Sequence, residues 1–202
     1  CRAEPCAQRV KSMTIWHWVR HGPTHQKTFT GWRDVPADLS NHRAITRLIS
    51  YLPKDALIVS SDLDRAVSTA DILQGNRKRL PHDPALREFH FGTWDGVHFE
   101  TVADWHPELS REYWEKPGNH RPPGGESWNQ SAVRVATTVR RIELTYPSSN
   151  IIAVAHFGVI LTQLQAVLGI TASEVLSYKI DNLSVTTLDA LSSKALTTNY
   201  SP

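Results

Sequence analysis

The stretch with the clearest capacity for chemistry is Arg20-His21-Gly22-Pro23-Thr24. It follows residues 15–19, a β-branched and aromatic run that has the length and composition of a strand. Gly22 and Pro23 favour a turn, so Arg20 and His21 are predicted where a strand ends and a loop begins. Open α/β sheets bind ligands at this end of their strands. A histidine beside a permanently charged arginine favours nucleophilic or acid–base chemistry on an anion, and a buried, hydrogen-bonded histidine is the structural alternative.

Three later segments place similar side chains at the ends of predicted elements. After a buried strand over 56–60, the run Ser61-Asp62-Leu63-Asp64-Arg65-Ala66 begins a helix. Its arginine stands in the first helical turn, where the helix dipole disfavours a cation unless an anion joins it. The segment Leu86-Arg87-Glu88-Phe89-His90-Phe91-Gly92 alternates like an extended strand, and Thr93-Trp94-Asp95-Gly96 closes it as a turn. A third buried strand, over 150–155, ends at His156.

Taken in order, these four segments resemble those of the histidine phosphatase superfamily, the phosphoglycerate-mutase-like proteins, and they span most of the chain. The segment around Glu88 is similar to the phosphatase branch, which includes α-ribazole phosphatase and broad-specificity phosphatases, and it lacks the Asn-Glu-Arg type of sequence of the mutases. The resemblance implies a three-layer α/β/α sandwich with a mostly parallel central sheet. It also implies a phosphomonoesterase that acts on small phosphate esters without a metal or another cofactor.

The resemblance also implies a role for each of the residues singled out above. His21 would form a phosphohistidine intermediate, and Glu88 would protonate the leaving group and then activate water. Arg20, Arg65 and a cationic His156 would bind the transferring phosphoryl group. The protonation of Glu88 depends on burial, which raises its pKa, and on the arginines, which lower it, and the sequence leaves that balance open.

Other residues are expected to complete the pocket. Thr24 and Lys27 are predicted to bind phosphate, and Lys27 stands where the family often has an asparagine. The residues expected to line the substrate pocket are Trp32, Trp94 and Phe157. Glu126, in a Gly-Gly-Glu-Ser loop, is a secondary candidate for the acid, although capping the following helix is its more ordinary role.

Three other functions fit parts of the pattern. A phosphoglycerate-type phosphomutase would share the pocket, but the acid segment, Gly158 and the short stretch of 23 residues over 98–120 argue for hydrolysis. A non-catalytic protein that binds a phosphorylated ligand would also keep the pocket. A metallohydrolase is suggested by His17, His21 and His25, whose spacing would align them on a helix, but the predicted strand and loop break that alignment.

Composition limits the range of partners. The 202 residues are 40% hydrophobic and 21% charged, which is typical of one globular domain. Residues 1–12 hold both cysteines and the whole net charge of +2, so bulk charge favours neither nucleic acid nor a membrane surface. We expect 1–12 to be a foreign or disordered tail and 13–202 to form one cytoplasmic domain. The physiological ester and the oligomeric state stay open, with a homodimer among the options.

The rest of the pattern predicts the elements that position these side chains. Further helices are predicted over 41–51 with Ser40 as cap, 64–73, 127–145 and 158–168, with short helices within 97–115 and a final strand over 183–188. Polar residues interrupt the apolar stretch 151–170, which fits a buried strand and helix better than a membrane span. Strands that alternate with helices indicate a mostly parallel sheet.

Overall fold

A computed structural model describes residues 14–189 and 192–202 of the chain. The predicted separate tail, residues 1–12, lies outside the described residues. No α-helix in the described ranges is long and apolar enough to cross a membrane.

One sheet forms the centre of the described part of the molecule. Its strands are β1 (Ile15–Arg20), β2 (Leu57–Ser60), β3 (Lys78–Arg79), β4 (Asn150–Ala155), β5 (Val185–Asp189) and β6 (Lys194–Tyr200). They lie in the order β3-β2-β4-β1-β5-β6. The first four strands of this order are parallel, and β5 and β6 add an antiparallel edge. The predicted mostly parallel sheet is confirmed.

Helices cover both faces of this sheet. They are α1 (His42–Tyr51), α2 (Asp64–Gln74), α3 (Phe99–Trp105), α4 (Pro107–Glu115), α5 (Trp128–Thr145), α6 (Phe157–Leu168) and α7 (Ala172–Val175). Successive residues of a strand point to opposite faces. In β4, Ile151 and Ala153 belong to the core shared with α5 and α6, whereas Ile152 and Val154 belong to the core shared with α1 and α2. This arrangement confirms the three-layer α/β/α sandwich.

Three neighbouring parallel strands end together at one edge of the sheet. The register pairs Arg20 of β1 with Ala155 of β4, and β2 ends on the other side of β4. The residues that directly follow these strands are His21, Ser61 and His156. Strand order therefore brings together side chains that are far apart in sequence, at the edge where sheets of this kind bind ligands.

The residues that cap the N-termini of α1 and α5 differ from the predicted ones. The N-cap of α1 is Asn41, whose side-chain oxygen accepts a hydrogen bond from the Ala44 N–H, so Ser40 is not the cap. The helix α5 begins with a capping box, in which the Ser127 and Gln130 side chains each bind the other's backbone N–H. Glu126 therefore does not cap this helix.

Two other regions also differ from the prediction. The segment 86–92 forms no strand, and its two end residues belong to the 3₁₀ turns Pro84–Leu86 and Gly92–Trp94. Side-chain donors, instead of a neighbouring strand, bind the carbonyls of Arg87 and Glu88 in this segment. The end of the chain, which has no clear pattern, forms β6, a partly exposed edge strand held by pairing with β5. The strand β5 starts at Val185, because Leu183 before it adopts a positive φ of 60°.

Candidate active site

His21 follows β1 and is almost fully buried, with 6% of its surface exposed. Its Nδ1 lies 2.7 Å from the carbonyl oxygen of Gly22. Because a carbonyl can only accept, Nδ1 carries the proton and Nε2 carries the lone pair. Burial, the Arg65 charge and, to a smaller extent, Arg20 lower the pKa of His21 to about 3, against the opposing hydrogen bond to Gly22. The imidazole is therefore neutral near pH 7, with a nucleophilic nitrogen that makes no hydrogen bond to any described residue.

The backbone around His21 is fixed from three sides. The His21 N–H donates to the carbonyl of Ala155 at 3.0 Å. The Asn182 side-chain amide donates to the His21 carbonyl at 2.7 Å, and the Gly22 N–H donates to Thr69 Oγ1 at 3.0 Å. Asn182 and Thr69 were not predicted, since neither stands beside a recognisable motif. These bonds fix the backbone from which the imidazole projects, and the bond from Nδ1 to the Gly22 carbonyl orients the ring.

His156 is fully buried opposite His21, and their ring centroids are 5.0 Å apart. Its Nε2 lies 2.7 Å from the hydroxyl of Ser61, while its buried Nδ1 has no hydrogen-bond partner in the described part of the chain. Burial, followed by the charge of Arg65, holds the pKa of His156 well below its usual value. In this state the imidazole is neutral, which differs from the cationic form that the resemblance implies. A bound phosphate would supply an opposite charge and raise that pKa.

Arg20 and Arg65 supply the positive charge of the pocket. Arg65 is 1% exposed in the first turn of α2, so it is not a surface residue, and its Nη atoms donate to the carbonyls of Gly31 and Arg33 at 2.6 and 3.0 Å. Arg20 donates from Nη1 to the carbonyl of Ile180 at 2.7 Å. The Nε of each guanidinium is buried without a partner among residues 14–189 and 192–202. These unpaired donors and permanent charges suit an anion.

Glu88 lies in the same pocket and is 8% exposed. Its carboxyl group accepts hydrogen bonds from the Gly158 N–H, at 3.1 and 3.2 Å to the two oxygens, and from its neighbour Phe89 at 3.0 Å. Burial raises the pKa of Glu88, against the effects of those N–H groups and of Arg65 and Arg20. The effect of burial therefore outweighs that of the arginines, and Glu88 keeps its proton to a higher pH than it would in water.

The close approach of Glu88 explains the glycine at position 158. A Cβ atom there would lie 2.7 Å from Glu88 Oε1 and 3.0 Å from the Phe89 ring. Gly158 is in the first turn of α6, so its N–H points out of the helix and is free to bind the carboxyl group. In the sequence this glycine is only a weak sign of a phosphatase, whereas in the structure it contacts the acid directly.

Of the three residues predicted to line the substrate pocket, two lie beside the site and one lies in the core. Trp32 is half-buried and donates from Nε1 to the Glu88 carbonyl at 2.7 Å, so it supports the acid segment. The Phe157 ring lies 5.4 Å from the Arg20 guanidinium, beside the pocket. Trp94 is fully buried against Phe29 and Tyr113. The prediction of Trp94 as a wall is wrong, because its ring fills the core between aromatic side chains.

Two predicted phosphate ligands lie in the loop after His21. Thr24 is partly exposed, and its carbonyl accepts a hydrogen bond from Gln26. Lys27 is exposed and forms no ion pair or hydrogen bond with any residue that the structure describes. Their role in binding phosphate stays a prediction.

The structure forms neither the row of three histidines suggested for a metal site nor a free carboxylate at Glu126. His17 lies on β1 near Asn150 and Thr187, and His25 lies in the loop 2.8 Å from Asp38, so His17, His21 and His25 share no helix face. Within the described ranges no three His, Cys, Asp or Glu side chains are grouped so as to hold a metal ion. Glu126, the secondary candidate for the acid, forms an ion pair with Arg134.

Residues 16–199 match the family model of the histidine phosphatase superfamily (branch 1). The phosphoglycerate mutase 2 of Gloeobacter violaceus, which is named as dependent on 2,3-bisphosphoglycerate, is 35% identical over 60% of each chain. The adenosylcobalamin/alpha-ribazole phosphatase of Escherichia coli is 26% identical over 91% of this chain and 98% of the relative. A bifunctional protein of Mycobacterium tuberculosis is 31% identical over 68% of this chain, which spans 40% of that longer relative.

Solved structures agree with these matches. The native structure of a mycobacterial glucosyl-3-phosphoglycerate phosphatase superposes with a TM-score of 0.75 at 27% identity, covering 87% of this chain and 89% of that one. The fold of that phosphatase agrees with the three-layer sandwich described above. The protein is therefore a member of the histidine phosphatase superfamily.

Proposed function

We propose that this protein is a metal-independent phosphomonoesterase that hydrolyses small phosphate esters through a phosphohistidine on His21. The observation that carries the proposal is the hydrogen bond from His21 Nδ1 to the Gly22 carbonyl. It leaves the lone pair of Nε2 in a buried pocket that also holds two guanidinium groups and the Glu88 carboxyl, whose pKa burial raises. A neutral imidazole in that tautomer is a nucleophile at neutral pH.

The first step transfers the phosphoryl group to the enzyme. The lone pair of His21 Nε2 forms a bond to phosphorus while the bond from phosphorus to the ester oxygen breaks. Glu88 gives its proton to that oxygen, so the alcohol leaves neutral and Glu88 becomes a carboxylate. The developing charge on the other phosphoryl oxygens faces Arg20, Arg65 and His156, which are already held in place by their own hydrogen bonds.

The second step restores the enzyme. The Glu88 carboxylate takes a proton from water, and the water oxygen forms a bond to phosphorus as the P–N bond to His21 breaks. Inorganic phosphate leaves, Glu88 is again protonated, and His21 is again neutral. The two N–H groups that bind the Glu88 carboxyl stabilise its charged form between the steps.

A phosphomutase is the second candidate, and the Gloeobacter violaceus relative supports it. Such an enzyme would use the same histidine but would return the phosphoryl group to the substrate. Hydrolysis is favoured by the acid segment and by the named phosphatases among the relatives and neighbours. It is also favoured by the short region 98–120, which forms only the two helices α3 and α4.

Hydrolysis of p-nitrophenyl phosphate in the presence of EDTA tests the proposal. We expect turnover between pH 4.5 and 8 that EDTA does not change, because the chemistry uses side chains alone. Isomerisation of 3-phosphoglycerate, measured beside it with 2,3-bisphosphoglycerate as primer, should be slower than hydrolysis. Isomerisation without hydrolysis would favour the mutase, loss of activity in EDTA would favour a metallohydrolase, and phosphate binding without turnover would favour a binding protein.

Replacing Gly158 with alanine should lower activity more than stability. The new Cβ would push the Glu88 carboxyl from its position. A catalytic group that is misplaced by about 1 Å can lose on the order of 10²-fold in rate. The fold should tolerate the change, since alanine favours a helix by about 1 kcal/mol over glycine. The rate with phenyl phosphate and the melting temperature would be measured together. Wild-type activity in a folded Gly158→Ala variant would contradict the position assigned to Glu88.

A further inference from the structure

Residues 85–90 overlap the acid segment (86–92), contain Glu88 and belong to no strand or α-helix. A segment of this kind has no backbone ladder to fix it, so its carbonyl and N–H groups need other partners. Two residues outside the segment, Glu126 and Arg134, form an ion pair and bind the carbonyls of Ala85, Arg87, Glu88 and His90, and Glu126 also binds the His90 N–H. Nothing in the mechanism above uses that pair.

Arg134 binds the segment along most of its length. Its Nη1 donates to the carbonyls of Ala85 and Arg87 at 2.8 and 3.0 Å, and its Nη2 lies 3.3 Å from the carbonyl of Glu88. Arg134 stands on α5, an 18-residue helix with a complete capping box. The guanidinium therefore links the backbone around Glu88 to a long helix and fixes its position relative to that helix.

Glu126 completes the clamp from the other side. Its two oxygens accept from Nε and Nη2 of Arg134, both at 2.8 Å, which fixes the plane of the guanidinium. The Glu126 carboxylate also accepts from the His90 N–H at 3.1 Å, and the Glu126 N–H donates to the His90 carbonyl at 2.8 Å. The side chains of Glu126 and Arg134 are only 20% and 17% exposed. Each charge is thus mostly removed from water and depends on the other.

We propose that Arg134 and Glu126 are positioning residues for proton transfer by Glu88. The inference rests on the proposed function, because it assigns the ion pair to the step in which Glu88 protonates the leaving group. The pair touches no phosphoryl ligand directly. Its loss should therefore leave phosphate binding intact and impair the transfer of the proton.

The test compares two esters of similar shape in the full-length protein. Phenyl phosphate has a more basic leaving group than p-nitrophenyl phosphate, so its cleavage depends more on the acid. The constant kcat/KM reports the steps up to departure of the leaving group. For Arg134→Met we expect kcat/KM to fall at least about tenfold more with phenyl phosphate than with p-nitrophenyl phosphate, within the range that a general acid contributes. Inhibition by inorganic phosphate should change by no more than about twofold.

Two further variants separate positioning from stability. Arg134→Lys keeps the charge but loses the planar fork, so its effect should be intermediate. Arg140→Met is the matched control, because the Arg140 side chain is exposed on the same helix and forms no ion pair or hydrogen bond with a described residue, and the variant should behave like wild type. Hydrogen exchange of the backbone amides at 87–90 should accelerate in Arg134→Met and stay unchanged in Arg140→Met. If Arg134→Met does not fold, Glu126→Gln, which keeps the shape of the side chain, carries the same measurements.

The outcomes distinguish this inference from the proposed function. If the wild type hydrolyses both esters and Arg134→Met slows both equally, the proposed function stands and the positioning role is overturned. Unchanged hydrogen exchange at 87–90 in a folded variant would also overturn it. If the wild type hydrolyses neither ester, the proposed function fails and the positioning role fails with it.

Discussion

Replacing His21 with alanine should abolish turnover of p-nitrophenyl phosphate, with a fall in kcat on the order of 10⁴-fold or more. The change removes the nitrogen that forms the bond to phosphorus, and no other described side chain in the pocket can replace it. His156 is the nearest imidazole, but its Nε2 is engaged by Ser61 and its ring centroid lies 5.0 Å from that of His21. Steady-state rates would measure the effect. Circular dichroism would check that the variant is folded, and phosphate binding would check that the pocket is intact.

The control is His25→Ala, in the same loop. His25 is exposed and pairs with Asp38 at 2.8 Å, outside the proposed chemistry, so its loss should leave kcat near the wild-type value. Brief mixing of the wild type with labelled substrate should also trap a phosphoryl group on protein that is stable to base and labile to acid, as expected for phosphohistidine. Measurable turnover by a purified His21→Ala protein, or a trapped group on another residue, would exclude His21 as the nucleophile.

Much of this site could be predicted from the sequence because its members follow strongly patterned elements. The runs 15–19, 56–60 and 150–155 are apolar enough to identify as buried strands, and parallel strands place their ends at one edge. His21 and His156 could therefore be assigned to one site without any knowledge of strand order. The strand order itself, with β4 between β2 and β1, is a property of tertiary packing that no local pattern encodes.

The acid segment shows where local pattern is a poor guide. Its alternation of apolar and polar residues predicts a strand, yet Pro84 begins a 3₁₀ turn and Arg134 and Trp32 occupy the carbonyls that a strand would pair. These donors are 46 and 56 residues from Glu88 in sequence. The local pattern therefore predicts a strand, although long-range side-chain contacts hold the segment as a loop. The same cause explains Trp94, whose place in the core depends on Phe29 and Tyr113.

The functional residues that were missed are those that hold the reacting groups in place. Ser61 binds the His156 ring, Thr69 binds the Gly22 N–H beside His21, and Asn182 binds the His21 carbonyl, and none stands at a special spacing. Ser61 alone had a usable signal, since it directly follows a buried strand at the edge where the site lies. Residue chemistry thus identifies groups that react, whereas residues that hold them become visible only with coordinates.

Replacing Glu88 with glutamine should slow both chemical steps but leave phosphate binding near the wild-type value. Glutamine keeps the shape and can still accept from the Gly158 N–H, but it has no proton to give. With phenyl phosphate, kcat/KM should fall by about 10² to 10⁴-fold, whereas p-nitrophenyl phosphate, whose leaving group needs little help, should lose much less. Because the variant also lacks a base for water, p-nitrophenol should appear in a burst of one equivalent per site before a slow steady state. Equal slowing of kcat/KM for both esters, without a burst, would exclude Glu88 as the acid and base.

The same substitution should change how activity and stability depend on pH. Burial raises the pKa of Glu88, so wild-type kcat/KM with phenyl phosphate should fall as pH rises through that value, and Glu88→Gln should lose this limb. Between the unfolded and the folded pKa, the folded protein binds a proton that the unfolded chain has released. The unfolding free energy therefore falls with rising pH in that window, and its Glu88 contribution is fully present only below the unfolded pKa. Denaturant titrations should show Glu88→Gln gaining stability relative to wild type from pH 4 to pH 8. A difference that does not change with pH would mean that folding leaves the pKa of Glu88 unshifted, so that the carboxyl is ionised at neutral pH and is a poor proton donor there.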